Sequence, residues 1–124
     1  MARVLIIDDE EQVRKMIREV LEGAGHEVVE ASNGREGMKL YEANPTDVVI
    51  TDLVMPEQEG LETITKLRRR FPAAKIIAIS GAQQKLDLDL LYVAEKLGAL
   101  RTMEKPFDVR KLLAIVEELL QVNP

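Results

Sequence analysis

Four separate stretches of this 124-residue sequence put polar groups directly after an apolar run. Asp8 and Asp9 follow "VLII", Asp52 follows "VVIT", Ser80 and Gly81 follow "IIAI", and Lys105 follows "RTME". Each has an ordinary reading taken singly. An Asp between a strand and a helix commonly caps the helix, Asp52 can open a turn, a Ser-Gly pair marks one, and a Lys-Pro step is usually surface. The combination is a set of carboxylates, a hydroxyl and an amine. Three carboxylates converging at about 5 Å would repel pairwise by roughly 3 kcal/mol at an effective dielectric near 20, so such a cluster wants a cation. The sequence has no cysteine and the single histidine His26, which excludes a thiolate or multi-imidazole zinc site. Oxygen ligands alone suit Mg²⁺, which keeps several waters and takes one or two carboxylates with phosphate oxygens; Mn²⁺ accepts the same ligands.

Those residues can meet only if the elements before them lie side by side. Short apolar runs at 3–7, 27–30, 47–51, 75–80 and 100–104 read as five strands, the last the least regular. Helical periods fill the gaps. In 11–25, Val13, Met16, Ile17, Val20, Leu21 and Ala24 mark one face and Gly25 supplies a stop. Asn33 caps a second helix reaching about Ala43; Gly37 inside it costs about 1 kcal/mol unless close packing requires it. A third helix, "GLETITKLRRRF", turns Leu61, Ile64 and Leu67 inward. A fourth runs from about Leu86 to Leu97, and Asp108 starts a fifth with Val109, Leu112, Leu113, Val116 and Leu120 on its apolar side. On the fourth helix, Ala94 set inward carries Leu90, Val93 and Leu97 with it and leaves Leu88 and Tyr92 outside, as scattered exposed hydrophobics or as a partner or dimer surface. His26 reads as a surface or turn residue. Strands apolar throughout, alternating with helices, predict a parallel sheet covered on both faces, and such sheets hold ligands at the carboxyl ends of their strands.

Composition narrows the class. Hydrophobic residues make up 46% and charged residues 31%, no stretch of about 18 apolar residues is present to span a membrane, and "MARVLIIDDE" lacks the pattern of a signal peptide. A single soluble, cytoplasmic domain over 1–124 is expected. The net charge of −5 disfavours nucleic acid or anionic membrane as a partner of the bulk surface, and "LRRRF" reads as a solvated helix end.

The acidic "DDE", the segment "DLVMPEQEGLE", the "SGA" after the fourth strand and "GALRTMEKPF" around the lysine occur in that order at near-usual spacing. On these features the sequence resembles the receiver domain of two-component response regulators over essentially its whole length. The resemblance implies a flavodoxin-like (βα)5 three-layer sandwich with strand order 2-1-3-4-5. It also implies a phosphoryl group accepted on Asp52 from a histidine kinase or phosphotransfer protein. Asp9 would ligate Mg²⁺ directly, Asp8 through water, and the Val54 carbonyl would complete the protein's share. Lys105 and the Ser80 hydroxyl would hold phosphoryl oxygens, with Gly81 leaving the approach open. Charge counting supports the set: three aspartates at −3 against Lys105 and Mg²⁺ at +3, with a phosphoryl group of about −2 leaving an excess for hydrogen-bond donors. Movement of Ser80 would reshape the face of the fourth helix, fifth strand and fifth helix, where an output partner or a second copy docks. Lys105-Pro106 is often cis in such domains.

Three positions depart from that pattern. Thr102 stands where receivers usually carry an inward-turning aromatic, and Val54 and Ala82 replace polar residues that steer the hydrolytic water, which predicts a long-lived phosphoryl group. Such a protein catalyses only its own phosphoryl transfer and loss. The chief alternative is a non-phosphorylated interaction module of the same fold. A dehalogenase-type phosphohydrolase needs a second acid where Val54 stands, and the one D-x-D, "DLD" at 87–89, falls inside a helix.

Overall fold

Five parallel strands and five helices alternate along the chain, in a computed structural model that describes residues 2–53, 60–81, 85–105 and 107–121, and the side chains of these apart from 81 and 85–90. In order they are β1 (Arg3–Ile7), α1 (Glu11–Gly23), β2 (Glu27–Ala31), α2 (Gly34–Ala43), β3 (Val48–Asp52), α3 (Gly60–Arg70), β4 (Ile76–Gly81), α4 (Lys85–Leu97), β5 (Arg101–Lys105) and α5 (Val109–Leu120). The sheet order is β2-β1-β3-β4-β5, the flavodoxin-like topology expected. Its register pairs Ile7 with Thr51, Asp52 with Ile79 and Gly81 with Lys105.

Period-two alternation divides the strands between two cores. Leu5, Ile7, Val49, Ile76 and Ala78 face α2, α3 and α4, where Met38, Ile64, Leu67 and Ala94 cover them. Val4, Ile6, Val48, Ile50, Ile77 and Ile79 face α1 and α5 and meet Ile17, Leu21, Leu112 and Val116. Most of these strand residues are 0% exposed, and each buried side chain of this size stabilises the fold by about 1.5–3 kcal/mol. The near-continuous apolar strands follow from a sheet with no solvent face.

Local signals behave as read. The Asn33 side chain accepts from the Glu36 amide at 2.8 Å and that of Asp108 from the Arg110 amide at 2.8 Å, so both cap their helices. Gly37 is required by packing: a Cβ there would lie 2.4 Å from Ile7 Cδ1 and 2.7 Å from Ile7 Cγ1, so α2 rests directly on β1.

Four expectations are corrected. Met16 is 41% exposed because it lies about 100° from Ile17, at the edge of the buried stripe, and Ala24 is exposed because α1 has already ended at Gly23. On α4 the inward direction falls between Ala94 and Leu91, both buried, which turns Val93 out to 39% exposure. On α5, by contrast, Leu112, Leu113, Val116 and Leu120 pack on the second core as expected, joined by the buried Leu119. His26 is buried: Nδ1 accepts the Ala2 amide at 3.3 Å and Nε2 lies 3.5 Å from Glu117 Oε2, so the imidazole packs between the start of β1 and α5.

Candidate functional site

Register alone brings the polar residues to one rim. Because Ile7 pairs with Thr51, the next residues, Asp8 and Asp52, stand level on neighbouring strands about 4.8 Å apart. Lys105 ends β5 opposite Gly81. The strands run one residue later than expected at β3, β4 and β5, so Asp52, Gly81 and Lys105 are the last strand residues, not the first of the loops. The ladder continues beyond Asp52, with the Leu53 amide donating to the Ile79 carbonyl at 2.9 Å.

Parity then sorts the groups by face. Asp8 follows the alternation of Val4 and Ile6, Asp52 that of Val48 and Ile50, and Lys105 that of Met103, all on the α1 and α5 side. Ser80 follows Ile76 and Ala78 toward α4. Thr102, paired with Ala78, shares that opposite side and is half-buried. Charges occupy one side of the rim, and the buried Ser80 hydroxyl and Thr102 the other.

One carboxylate oxygen from each of Asp8, Asp9, Glu10 and Asp52 lies within 4.8 Å of the others. Asp8 and Asp52 are buried, whereas Asp9 and Glu10 are open to solvent. Lys105 Nζ donates to Asp8 Oδ2 at 3.1 Å, Glu10 Oε1 at 3.2 Å and Asp52 Oδ2 at 3.3 Å. Four acids and one lysine sum to −3. Burial raises the Asp8 carboxyl above its ordinary value, outweighing the Glu10 amide and Lys105, which act the other way. Burial also disfavours charged Lys105, but Asp52 and Asp8 overcome it and hold the ammonium above its ordinary value. The donor set suits a hard divalent cation, with carboxylate oxygens alone, two of them on exposed residues that leave room for waters.

Sequence reasoning missed three contributors. Glu10, third acid of the "DDE", belongs to the cluster and shares Lys105. Gly60 donates its amide to the Leu53 carbonyl at 3.1 Å, and a Cβ on it would lie 2.2 Å from the Asp52 carbonyl oxygen and 2.6 Å from Leu53 Cα. Only glycine fits so close to the backbone that carries Asp52; its place at the start of α3 was the available signal. Arg14 reaches back from α1 to donate Nη1 to the Asp8 carbonyl at 2.7 Å, a contact no spacing rule announces. Behind it, burial alone would raise the Glu30 carboxyl, but hydrogen bonds from Arg18 and then Arg14 lower it below the ordinary carboxylate value.

Val54, Ala82 and Pro106 lie outside the described residues, as do the side chains of Leu88 and Leu90. Tyr92 is 63% exposed, facing out as expected, with Lys96 Nζ 5.3 Å from its ring centroid. A groove of about 540 Å³ between α2 and α3, walled by Arg35, Lys39, Lys66 and Arg69 with Glu42 and Glu62, does not include Asp8, Asp9, Glu10 or Asp52. Among the described residues no helix is long and apolar enough to cross a membrane.

Comparison with known proteins places this geometry in a context. The sequence matches the response regulator receiver domain family over residues 4–117. It is 37% identical over 122 residues to the chemotaxis protein CheY of Thermotoga maritima, covering 98% of this chain and 97% of that protein. It is 34% identical to the DNA-binding transcriptional regulator NtrC of Azospirillum brasilense, covering 98% of this chain and 25% of that longer protein. A crystal structure of a response regulator receiver domain protein from Clostridium thermocellum superposes with a TM-score of 0.88 at 32% identity, covering 97% of this chain and 94% of that one.

Proposed function

Because this chain belongs to the response regulator receiver domain family of two-component systems, we propose that Asp52 is its phosphoacceptor. A carboxylate oxygen of Asp52 attacks the phosphorus of a phosphohistidine on a histidine kinase or phosphotransfer protein; the P–N bond breaks, an acyl phosphate forms and the imidazole leaves. The observation that carries this reading is the three-way contact of Lys105 with Asp8, Glu10 and Asp52 at the common end of β1, β3 and β5. It sets a fixed cation beside the one buried aspartate that ends the central strand.

Asp9 and Asp52, with Asp8 through water and the Val54 carbonyl, would hold Mg²⁺ or Mn²⁺, and the ion when bound supplies two positive charges against the oxygens of the incoming group. Lys105 keeps its proton and passes from the Asp52 carboxylate to a phosphoryl oxygen. The Ser80 hydroxyl donates to a second, and Gly81 leaves the donor a path. Ser80 and Thr102 share the α4 side of the sheet, so drawing Ser80 toward the acyl phosphate changes the packing beneath the face of α4, β5 and α5, which an output partner or a second copy reads. With threonine at 102 that change is transmitted without an aromatic side chain. The chain is a signalling switch within a single domain, catalysing only its own phosphoryl transfer and loss.

Intact-mass measurement after incubation with acetyl phosphate tests the reading. The expected result is a gain of one phosphoryl group that requires Mg²⁺ and vanishes in Asp52→Asn. Equal phosphorylation of Asp52→Asn would refute it, and no gain in the parent protein would favour the non-phosphorylated interaction module.

A further inference from the structure

We infer that Arg14 is a positioning residue that fixes the acidic turn from behind and thereby sets its affinity for a divalent cation. The inference rests on the reading of Asp8 and Asp9 as cation-holding residues. Asp9 sits between two carbonyls: that of Glu10 takes the first main-chain bond of α1, from the residue 14 amide at 3.1 Å, and that of Asp8 takes the Arg14 side chain, Nη1 donating at 2.7 Å. The rest of the turn is tied by the Asp8 amide to the Ala31 carbonyl at 3.1 Å and by the Glu10 amide to Asp8 Oδ1 at 2.9 Å. The peptide linking Asp8 to Asp9 is therefore held at its oxygen by one guanidinium.

That guanidinium is itself immobilised. Its Nε donates to Glu30 Oε1 at 3.0 Å, while the other Glu30 oxygen takes Arg18 Nη1 and Arg18 Nε reaches Glu22 Oε2 at 3.0 Å. The Arg14 side chain is 16% exposed. Two nitrogens of one rigid fork serve two acceptors on different elements, a task a single lysine ammonium cannot perform. The guanidinium contacts the turn at the Asp8 carbonyl, whereas Lys105 takes carboxylate oxygens of Asp8, Glu10 and Asp52. Arg14 thus holds the turn by its backbone and covers no carboxylate oxygen that a metal would need.

The test is calorimetric titration with Mg²⁺ of the parent, Arg14→Ala, Arg14→Lys and Glu30→Gln, joined to amide hydrogen exchange of residues 8–10 in metal-free buffer. Loss of an outer-layer partner of this kind weakens metal binding about 10- to 100-fold. Arg14→Ala and Arg14→Lys are expected to fall in that range, Glu30→Gln to lose less, and exchange to quicken at residues 8–10 ahead of the strand amides. Affinity within about twofold of the parent in Arg14→Ala, or restored by Arg14→Lys, overturns the positioning role, as does unchanged exchange. If Arg14→Ala does not fold, unchanged affinity in both Arg14→Lys and Glu30→Gln overturns it equally. A parent protein that binds no Mg²⁺ defeats the reading of the site itself, a failure told apart because it precedes any variant.

Discussion

At the scale of single residues, the rim stores an electrostatic conflict. Asp8 is 2% exposed and burial lifts its carboxyl above the ordinary 3.8, even though Lys105 and the Glu10 amide oppose the lift. A carboxyl with a raised folded-state value binds protons more tightly folded than unfolded, so its ionisation subtracts stability as pH rises above 3.8 and subtracts nothing below it. Asp8→Asn should accordingly raise the melting temperature of the metal-free protein at pH 7 and leave it little changed at pH 3. Thermal unfolding at the two pH values checks this, and a loss at pH 7 would show that the Lys105 contact outweighs burial. Lys105 keeps Glu10 and Asp52 as partners in that variant. Glu30 has the opposite sign. Held low by Arg18 and Arg14, it contributes stability that is present above about 4.5 and lost as pH falls through its folded-state value.

At the scale of elements, two close approaches fix the geometry. α2 lies on β1 because residue 37 has no side chain to hold it off Ile7. α3 begins against the Asp52 peptide because residue 60 has none either. The second contact bears on chemistry: a methyl at 60 would push on the Asp52 carbonyl and Leu53 Cα, and backbone cannot rotate away as a side-chain tip can. Gly60→Ala is therefore expected to cost about 1–3 kcal/mol and to slow phosphorylation of the fraction that folds. Denaturant unfolding with acetyl phosphate labelling measures both, and unaltered stability with unaltered labelling would show that the start of α3 moves freely. Arg68 shows the same economy at the other end of α3. Its Nη2 donates to the Ala74 and Gly98 carbonyls, both at 2.7 Å, joining the turn before β4 to the end of α4.

For the molecule as a whole, a sheet covered on both faces leaves its carboxyl rim as the place where four acids can cluster, two of them buried and two open to solvent. Their net −3 with Lys105 is a standing cost that a bound divalent ion would cut to −1. A ligand that binds only the folded state stabilises it by about 2.7 kcal/mol at a hundredfold excess over its dissociation constant, on the order of 10 °C in melting temperature for a domain of this size. Saturating Mg²⁺ should produce a rise of that order in the parent and little in Asp9→Asn. An equal rise in both would mean that the ion acts on surface charge at large and not on the rim.

Periodicity sufficed for the element order, because a covered parallel sheet needs apolar strands and one-sided helices, and both are written in local spacing. Strand order and the meeting of Asp8, Asp9, Asp52 and Lys105 were legible by likeness, and the caps at Asn33 and Asp108 from their own chemistry. Only the folded chain decided the rest. His26 is buried because the Ala2 amide and Glu117 arrive from distant segments, and Arg14 meets the Asp8 carbonyl with a guanidinium anchored on Glu30 of β2. Glu10 joins the cluster because Lys105 comes to it from 95 positions away, and Gly60 is needed because α3 abuts β3. Such contacts depend on where a neighbouring element lies in space, to within an ångström, and spacing along one segment carries no record of that distance.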